Sequence, residues 1–323
     1  MKGSEKNGFT ILFGIKFYFR GVNMKKLGLI GALLLLIASI IMGCGADGKK
    51  LQSDFTPMIT GVATPKTIVI AADYLNQNIG KAGRDIGSQM LVAYENYLIQ
   101  YVNSDADWTA IGNLYPYWDK STGKLDAEKI TIEETKALYE NLIKGGFKFA
   151  SSEGMVYPVV DYKVFLEKYG KSITEALSGL YSIKQLESDK PMAQDAALVI
   201  SYSELIGRAY ATEQYIQQYK KDPLTLKDSK FIYQNYINTM LLGMNNTPIF
   251  DYQTHVFSVD AKKAYVEFIN AHPKAVTSWM LGEYLNYLSS ANFTMDYKNK
   301  SQSKVFFDTC SWLVSEAGKK VLE

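Results

Sequence analysis

The chain has 323 residues, with 35 Lys and Arg against 33 Asp and Glu. Residues 1–43 hold 6 of the basic and 1 of the acidic side chains, so the remainder carries 29 and 32 and a net charge of −3. This near-neutral balance, without a cluster of Lys and Arg, argues against a nucleic-acid partner. The remaining length of about 280 residues is sufficient for one large or two modest domains.

The N-terminal segment has the composition of an export signal. Lys25 and Lys26 precede an apolar run at 27–42, LGLIGALLLLIASIIM, which Gly43 and Cys44 follow. A charged start, a short apolar core and small residues before a cleavage point are the features of such a signal. The segment IIMGCGADGKK resembles the lipobox of bacterial lipoproteins, in which the cysteine becomes the lipidated first residue.

This resemblance implies a signal peptide over residues 24–43 and a diacylglyceryl group on Cys44. Stable anchoring requires more than one acyl chain, and a diacylglyceryl group meets that requirement. The membrane is therefore an expected partner, and the expected location is the extracytoplasmic face of the cell membrane. The alternative is that the apolar run stays uncleaved as an anchor helix, which also places the rest of the chain outside the cytoplasm. Because Met24 begins a complete signal, we predict that residues 1–23 precede the true start.

Lipidation of Cys44 leaves Cys310 as the only other cysteine. An intramolecular disulfide and a zinc site built on thiolates are then excluded. The neighbours of Cys310 in FFDTCSWLV are mostly apolar, which predicts a buried, unreactive thiol.

After the signal, the sequence predicts a flexible, lipidated tether over residues 44–64 and a helical extracytoplasmic domain over residues 65–323. The tether GADGKKLQSDFTPMITGVAT is small and polar, without a clear period. Polar loops at 118–129 and 219–230 contain turn residues but are short for linkers. We predict a mainly α fold that forms a single elongated helical domain, with two helical halves that meet near residue 225 as the alternative.

Apolar side chains recur at helical spacing along most of this domain. The predicted buried faces comprise Ile86, Met90, Ala93, Tyr94, Tyr97, Leu98 and Tyr101; Leu198, Tyr202, Leu205, Ala209 and Ile216; Phe231, Ile232, Asn235, Tyr236 and Met240; Val276, Trp279, Met280 and Leu288; and Phe306, Cys310, Leu313 and Ala317. Pro191 and Asp195 open the second of these segments. The best strand candidates are GFKFAS at 146–151 and HVFSV at 255–259. Many of the 23 tyrosines lie on the helical faces, which predicts rings at the core edge with hydroxyls in water.

A motif of a proline, two further residues and an aspartate occurs at 116–119, 158–161 and 248–251. A tyrosine follows the aspartate in the second and third copies. Proline biases the preceding residue away from helix, and aspartate is a preferred N-cap residue. The spacing after Asp161 predicts a capped helix, and Asp119 begins a turn. The residues after Asp251 favour extended chain, so capping explains that copy less well.

The alternative to capping is a shared ligand site. In that hypothesis, the two complete copies line one groove with Tyr157, Asp161, Tyr162, Asp251, Tyr252 and His255. Tyrosine faces and aspartate carboxylates suit a peptide or a sugar. The sequence leaves both interpretations open.

The sequence identifies no catalytic residue, cofactor or metal site. It contains 2 histidines and neither an HExxH motif nor a nucleophile elbow. Glu153 lies beside glycine in SSEGMVYP and is expected in a turn. The segment DKSTGKLDAEK suggests a calcium loop, but glycine is fifth and glutamate tenth from Asp119, whereas an EF-hand has them sixth and twelfth.

These features predict a membrane-anchored lipoprotein that binds an envelope protein, a polymer or a small ligand without catalysing a reaction. The alternative is an envelope hydrolase that uses carboxylates or a Ser–His pair on peptidoglycan, glycan or peptide. Convergence of Asp161, Asp251 and His255 in a concave pocket would favour the hydrolase.

Overall fold

The computed structural model describes residues 46–323. Over this part of the chain the fold is mainly α, as predicted, with twelve α-helices and four two-stranded hairpins. The chain divides into two compact units, one that ends at Thr174 and one over Glu175–Glu323. The predicted signal peptide and Cys44 lie outside the described residues.

The first unit contains helices α1 (Ala46–Phe55), α2 (Pro65–Asn78), α3 (Arg84–Gln100), α4 (Trp108–Gly112), α5 (Glu133–Lys144) and α6 (Tyr162–Tyr169), and strands β1 (Trp118–Asp119), β2 (Lys124–Leu125), β3 (Phe147–Ser152) and β4 (Met155–Val160). The second contains α7 (Glu175–Asp189), α8 (Tyr202–Tyr219), α9 (Leu226–Leu242), α10 (Val259–Ala271), α11 (Val276–Ser290) and α12 (Lys300–Lys320), and strands β5 (Ala193–Gln194), β6 (Ala197–Leu198), β7 (Gly243–Met244) and β8 (Thr247–Pro248). Consecutive strands pair as antiparallel hairpins.

The boundary between the units follows Thr174 and does not lie near residue 225. The polar segment at 225 is a tight turn that joins α8 to α9. There the carboxylate of Asp222 accepts hydrogen bonds from the backbone N–H groups of Leu224 (2.9 Å) and Thr225 (3.0 Å). The turn brings the two helices together within one unit. Polar composition alone does not distinguish such a helix-hairpin turn from a linker.

The segment predicted as a tether is ordered in its described part. Residues 46–55 form α1, and a 3₁₀ turn follows at Thr56–Ile59. Phe55 is 1% exposed and its ring stacks 5.8 Å from that of Tyr74. Gly48 is buried, and a Cβ there would lie 2.5 Å from the carbonyl oxygen of Ala82. The tether prediction was therefore wrong over residues 46–59, which are helical. The small residue at 48 allows α1 to approach Ala82 closely, although most side chains of this helix are exposed.

Most predicted helical faces are confirmed. Met90, Tyr94 and Leu98 of α3 are fully buried, and all four residues predicted for α12 are buried. The exception on α9 is Phe231, which is 44% exposed. The buried face of α9 is centred on Ile232, Tyr233, Tyr236 and Met240, which places Phe231 on the solvent-exposed side of the helix.

The predicted start of α8 was wrong. The helix begins at Tyr202, and its N-cap Ser201 accepts a hydrogen bond from the backbone N–H of Glu204 at 3.1 Å. Leu198, predicted as helical, lies in β6 and pairs with Ala193 in the β5–β6 hairpin. The apolar spacing extended the predicted helix back across the β5–β6 hairpin, because the pairing of Leu198 with Ala193 leaves no signal in that spacing.

The turn of the β5–β6 hairpin has two residues in the left-handed region. Asp195 has a φ of 49° and Ala196 a φ of 58°. The backbone N–H of Asn246, in the turn of the β7–β8 hairpin, donates to the carbonyl of Ala196 at 2.9 Å. This contact between the hairpin turns keeps an alanine in a conformation that glycine adopts without a steric penalty.

Replacing Ala196 with glycine is expected to raise the free energy of unfolding by about 1 kcal/mol, because it relieves left-handed strain and retains the backbone hydrogen bond. Urea denaturation of the variant measures the change. Ala197→Gly is the matched control, because Ala197 lies in extended β6 and glycine there should destabilise by about 0.5–1 kcal/mol. An equal loss of stability in Ala196→Gly and Ala197→Gly would show that the left-handed conformation of Ala196 is not strained.

Strand prediction was correct for GFKFAS, most of which forms β3. Its partner β4 was missed because it contains Pro158, a residue confined to edge positions and bulges of sheets. HVFSV forms only the isolated bridges Phe250–Phe257 and Val256–Thr294, and α10 already begins at Val259.

Several tyrosines lie deeper than the predicted core edge. The hydroxyl of Tyr265 donates to the carbonyl of Met240, and that of Tyr284 to the carbonyl of Leu241, each at 2.6 Å. Both rings are fully buried. These two carbonyls belong to the last turn of α9, where intrahelical donors are lacking. Buried tyrosine hydroxyls therefore complete the C-terminus of a core helix.

Candidate functional site

The loop after β8 carries one copy of the proline–aspartate motif. The carboxylate of Asp251 accepts hydrogen bonds from the backbone N–H groups of Gln253 (2.9 Å) and Thr254 (2.7 Å). These bonds, first that of Thr254, hold the pKa of Asp251 below its usual value. Asp251 therefore organises its own exposed loop and does not cap a helix.

His255 and Tyr252 belong to the same loop. The backbone N–H of His255 donates to the carbonyl of Asp251 at 2.8 Å, and its φ is 62°. Its carbonyl accepts from the backbone N–H of Met295 at 2.9 Å, so the loop is tied to the chain before α12. Tyr252 is 59% exposed, and its hydroxyl donates to the carbonyl of Asn245 at 3.3 Å.

The copy in the first unit has the predicted capping geometry. Asp161 is the N-cap of α6, and its carboxylate accepts from the backbone N–H of Val164 at 3.1 Å. Tyr162 is buried, and its hydroxyl donates to the carboxylate of Glu95 at 2.7 Å. Tyr157 pairs with Ala150 across the β3–β4 hairpin. Here the motif links a strand to a helix.

Asp119 ends β1 and begins the turn of the β1–β2 hairpin, and Glu153 lies in the turn of the β3–β4 hairpin, both as predicted. The carboxylate of Asp119 accepts from the backbone N–H and hydroxyl of Ser121 at 2.8 and 2.7 Å. Glu153 has a φ of 50° and Gly154 a φ of 77°, in the two-residue turn between β3 and β4. Among residues 46–323, His, Cys, Asp and Glu form no group of three suited to a metal ion.

The six residues of the shared-site hypothesis are divided between the two units. Tyr157, Asp161 and Tyr162 belong to the first, and Asp251, Tyr252 and His255 to the second. In each unit the aspartate carboxylate accepts hydrogen bonds from backbone N–H groups a few residues ahead. Tyr252 is the member of the second group that presents a largely exposed ring.

Tyr252 is part of a larger cluster, here called the aromatic surface and defined as Tyr252, Tyr297 and Phe307. The ring centroid of Tyr297 lies 6.3 Å from that of Tyr252 and 6.4 Å from that of Phe307. Phe307 is 46% exposed and Tyr297 is half-buried. The three side chains come from the loop after β8, from the segment before α12 and from α12 itself.

Two buried phenylalanines support the aromatic surface. Phe250 is 0% and Phe306 is 1% exposed. Both rings meet Tyr297 at an interplanar angle of 82°, with centroids 6.2 and 6.4 Å away. Edge-to-face contacts of this kind stabilise by about 0.5–1.5 kcal/mol each. These ring contacts position Tyr297, and the hydrogen bond from the hydroxyl of Tyr252 to the carbonyl of Asn245 positions Tyr252.

Lysines flank the aromatic surface. Lys300, Lys304 and Phe307 are exposed and share one face of α12, at positions i, i+4 and i+7. Lys298 lies next to Tyr297 and is also exposed. The positive end of the α12 dipole coincides with Lys300 and adds to this charge.

The hydroxyl of Tyr297 remains protonated under physiological conditions. Burial raises the pKa of Tyr297 to about 12, with smaller contributions from Tyr252 and Cys310. Cys310 itself is 2% exposed, and burial raises the pKa of its thiol, so the predicted buried cysteine is confirmed. The aromatic surface therefore presents neutral rings beside positive charge.

Sequence reasoning selected Tyr252 but missed Tyr297 and Phe307. The adjacent pair Phe306 and Phe307 held a usable signal, because adjacent residues lie about 100° apart around a helix and the second therefore points away from the centre of a face that buries the first. Tyr297 precedes the N-cap Asn299 by two residues, in a segment that had no helical period.

Comparisons of this chain with protein-family models, with curated proteins and with solved structures found no match. In the part of the chain that the structure describes, no helix is both long and apolar enough to cross a membrane.

Proposed function

We propose that this chain is a lipid-anchored binding protein of the extracytoplasmic cell envelope. The observation that carries the proposal is the apolar run at 27–42 that ends in Gly43 and Cys44. Two acyl chains on Cys44 give stable membrane attachment. Anchoring concentrates the domain near its partners at the membrane surface.

The binding role is supported by the aromatic surface. Tyrosine and other aromatic residues are enriched where proteins recognise partners, because a rigid ring offers contact area at a low entropic cost. Phe307 exposes its ring directly after buried Phe306, and Tyr252 exposes its ring two residues after buried Phe250. Contact with a partner at the envelope, whether a protein, a polymer or a small ligand, would bury these rings, which the fold of the chain leaves exposed.

Substitution of Cys44 tests the anchor. In bacteria fed an alkyne-labelled fatty acid, we expect the wild-type protein to incorporate label and Cys44→Ala to incorporate none. Mass spectrometry should find a mature N-terminus at a modified Cys44, whereas Cys44→Ala should retain the preceding apolar run. Cys310→Ala is the matched control and should be labelled and processed like the wild type. An unlabelled wild type with residues 40–50 intact would refute the proposal.

A further inference from the structure

We propose that the aromatic surface, together with Lys298, Lys300 and Lys304, binds an anionic glycan whose sugar rings carry carboxylate or phosphate groups. This inference rests on the proposed binding function and specifies its ligand. Its site is built entirely from the second unit and uses neither catalytic nor metal chemistry.

The first argument is the arrangement of the rings. Tyr252, Tyr297 and Phe307 form a continuous row, with successive centroids 6.3 and 6.4 Å apart. A row of rings at this separation offers neighbouring contacts to successive units of a chain-like ligand. Tyrosine adds a hydroxyl to an apolar ring, which suits ligands that combine C–H faces with polar groups.

The second argument is that the rings are held before any ligand arrives. Tyr297 rests edge-on against buried Phe250 and Phe306. The hydroxyl of Ser303 donates to the carbonyl of Tyr297 at 2.9 Å, which fixes the backbone beside the ring. Side chains ordered in advance reduce the entropic cost of binding.

The third argument is the local charge. Lys300 and Lys304 lie on the same face of α12 as Phe307, and Lys298 adjoins Tyr297. Lys304 pairs with Asp308, but both side chains are largely exposed, at 76% and 65%. Exposed pairs of this kind contribute little and exchange readily for another anion.

Besides Asp308, the partner of Lys304, two acidic groups lie close in sequence to the rings, and both are hydrogen-bonded to the backbone. The carboxylate of Asp251 accepts from the backbone N–H groups of its own loop, and that of Asp296 accepts from the backbone N–H of Lys298 at 2.8 Å. Their negative charge is thus partly offset by backbone dipoles. The combination of rings and lysines favours an anionic partner over a neutral one.

A bilayer surface fits these observations less well. Tyr297, the middle ring of the row, is half-buried and fixed against the core, whereas insertion below lipid headgroups requires rings that project. A hydrated polymer that lies along the row requires no insertion. We therefore commit to the glycan and treat the bilayer as an outcome of the test.

The test measures binding of the full-length protein, purified in detergent, to polygalacturonate as the anionic glycan. Dextran serves as the neutral glycan and polyglutamate as a polyanion without sugar rings. For the anionic bilayer, the protein is transferred from detergent to phosphatidylglycerol vesicles. Because the acyl chains on Cys44 insert there in every variant, the measured quantity is the loss of vesicle binding that the aromatic-surface substitutions cause. We expect polygalacturonate to bind most tightly. Tyr252→Ala combined with Phe307→Ala should weaken that binding about tenfold. Lys300→Gln combined with Lys304→Gln should weaken it and flatten its dependence on salt.

Matched controls lie elsewhere on the surface. Phe231 is 44% and Tyr115 is 36% exposed, so Phe231→Ala combined with Tyr115→Ala removes similar rings and should leave binding unchanged. Circular dichroism spectra that match the wild type establish that each variant is folded. Because every comparison uses purified protein, a failure here leaves the lipidation result at Cys44 intact.

Four results would overturn the inference. They are undetectable binding of polygalacturonate by the wild type, equal or tighter binding of polyglutamate or dextran, a loss of vesicle binding in the aromatic-surface variant as large as its loss of polygalacturonate binding, and equal losses in the control and the aromatic-surface variants.

Discussion

Replacing Arg208 with methionine is expected to lower the free energy of unfolding by about 3–5 kcal/mol. Arg208 and Glu187 are each 5% exposed, and the guanidinium donates to the Glu187 carboxylate and, at 2.8 Å, to the carbonyl of Lys190. Glu187 also accepts from the hydroxyl of Tyr236 at 2.6 Å and from the backbone N–H of Met192 at 3.1 Å. Removing the arginine leaves a buried carboxylate without its countercharge, which is the costly half of a buried ion pair.

Urea denaturation followed by circular dichroism measures this loss. Arg208→Met combined with Glu187→Met removes both charges and should recover much of it, because two apolar side chains replace a pair that desolvation had weakened. Lys190 is the control: its side chain is 62% exposed in a pair with Glu204, so Lys190→Met should cost less than about 1 kcal/mol. A single Arg208 variant as stable as the Lys190 variant would show that the buried pair does not hold the second unit together.

Replacing Glu213 with alanine is expected to destabilise the protein by about 3 kcal/mol. Glu213 lies on α8 and is 1% exposed. Its carboxylate accepts from the backbone N–H groups of Val276 and Thr277, each at 2.8 Å, and from the hydroxyl of Thr277 at 2.6 Å. The N-cap residue of α11, Ala275, has no side chain to do this. The variant loses the cap, the charge at the positive helix end and buried volume together.

Glu213→Gln separates these contributions, because it keeps the volume but turns an amide N–H₂ toward at least one donor. We expect its stability in urea to lie between those of the wild type and Glu213→Ala. Glu267→Ala, a loss of an exposed carboxylate on α10, should change the free energy of unfolding by no more than about 0.5 kcal/mol. If Glu213→Ala behaves like Glu267→Ala, the remote cap does not stabilise α11.

The aromatic surface illustrates what sequence reasoning reached and what it missed. Tyr252 was selected because a repeated motif pointed to it, although the groove predicted around it combined residues of two units. Tyr297 and Phe307 join Tyr252 only because α12 packs beside the loop after β8. Such contacts link residues far apart in sequence, and local patterns contain no information about which distant element is the neighbour.

The sequence by itself determined the mainly α fold, the buried faces of α3 and α12 and the cap at Asp161, because helical period and capping act within a few residues. It also supplied the predicted export signal, which lies outside the described residues. Only the tertiary structure decided that residues 46–55 belong to the folded part, that the division follows Thr174, and that Glu213 caps a helix 63 residues away. Those outcomes depend on close approach and on the desolvation of charges between distant segments, and neither is set by local composition.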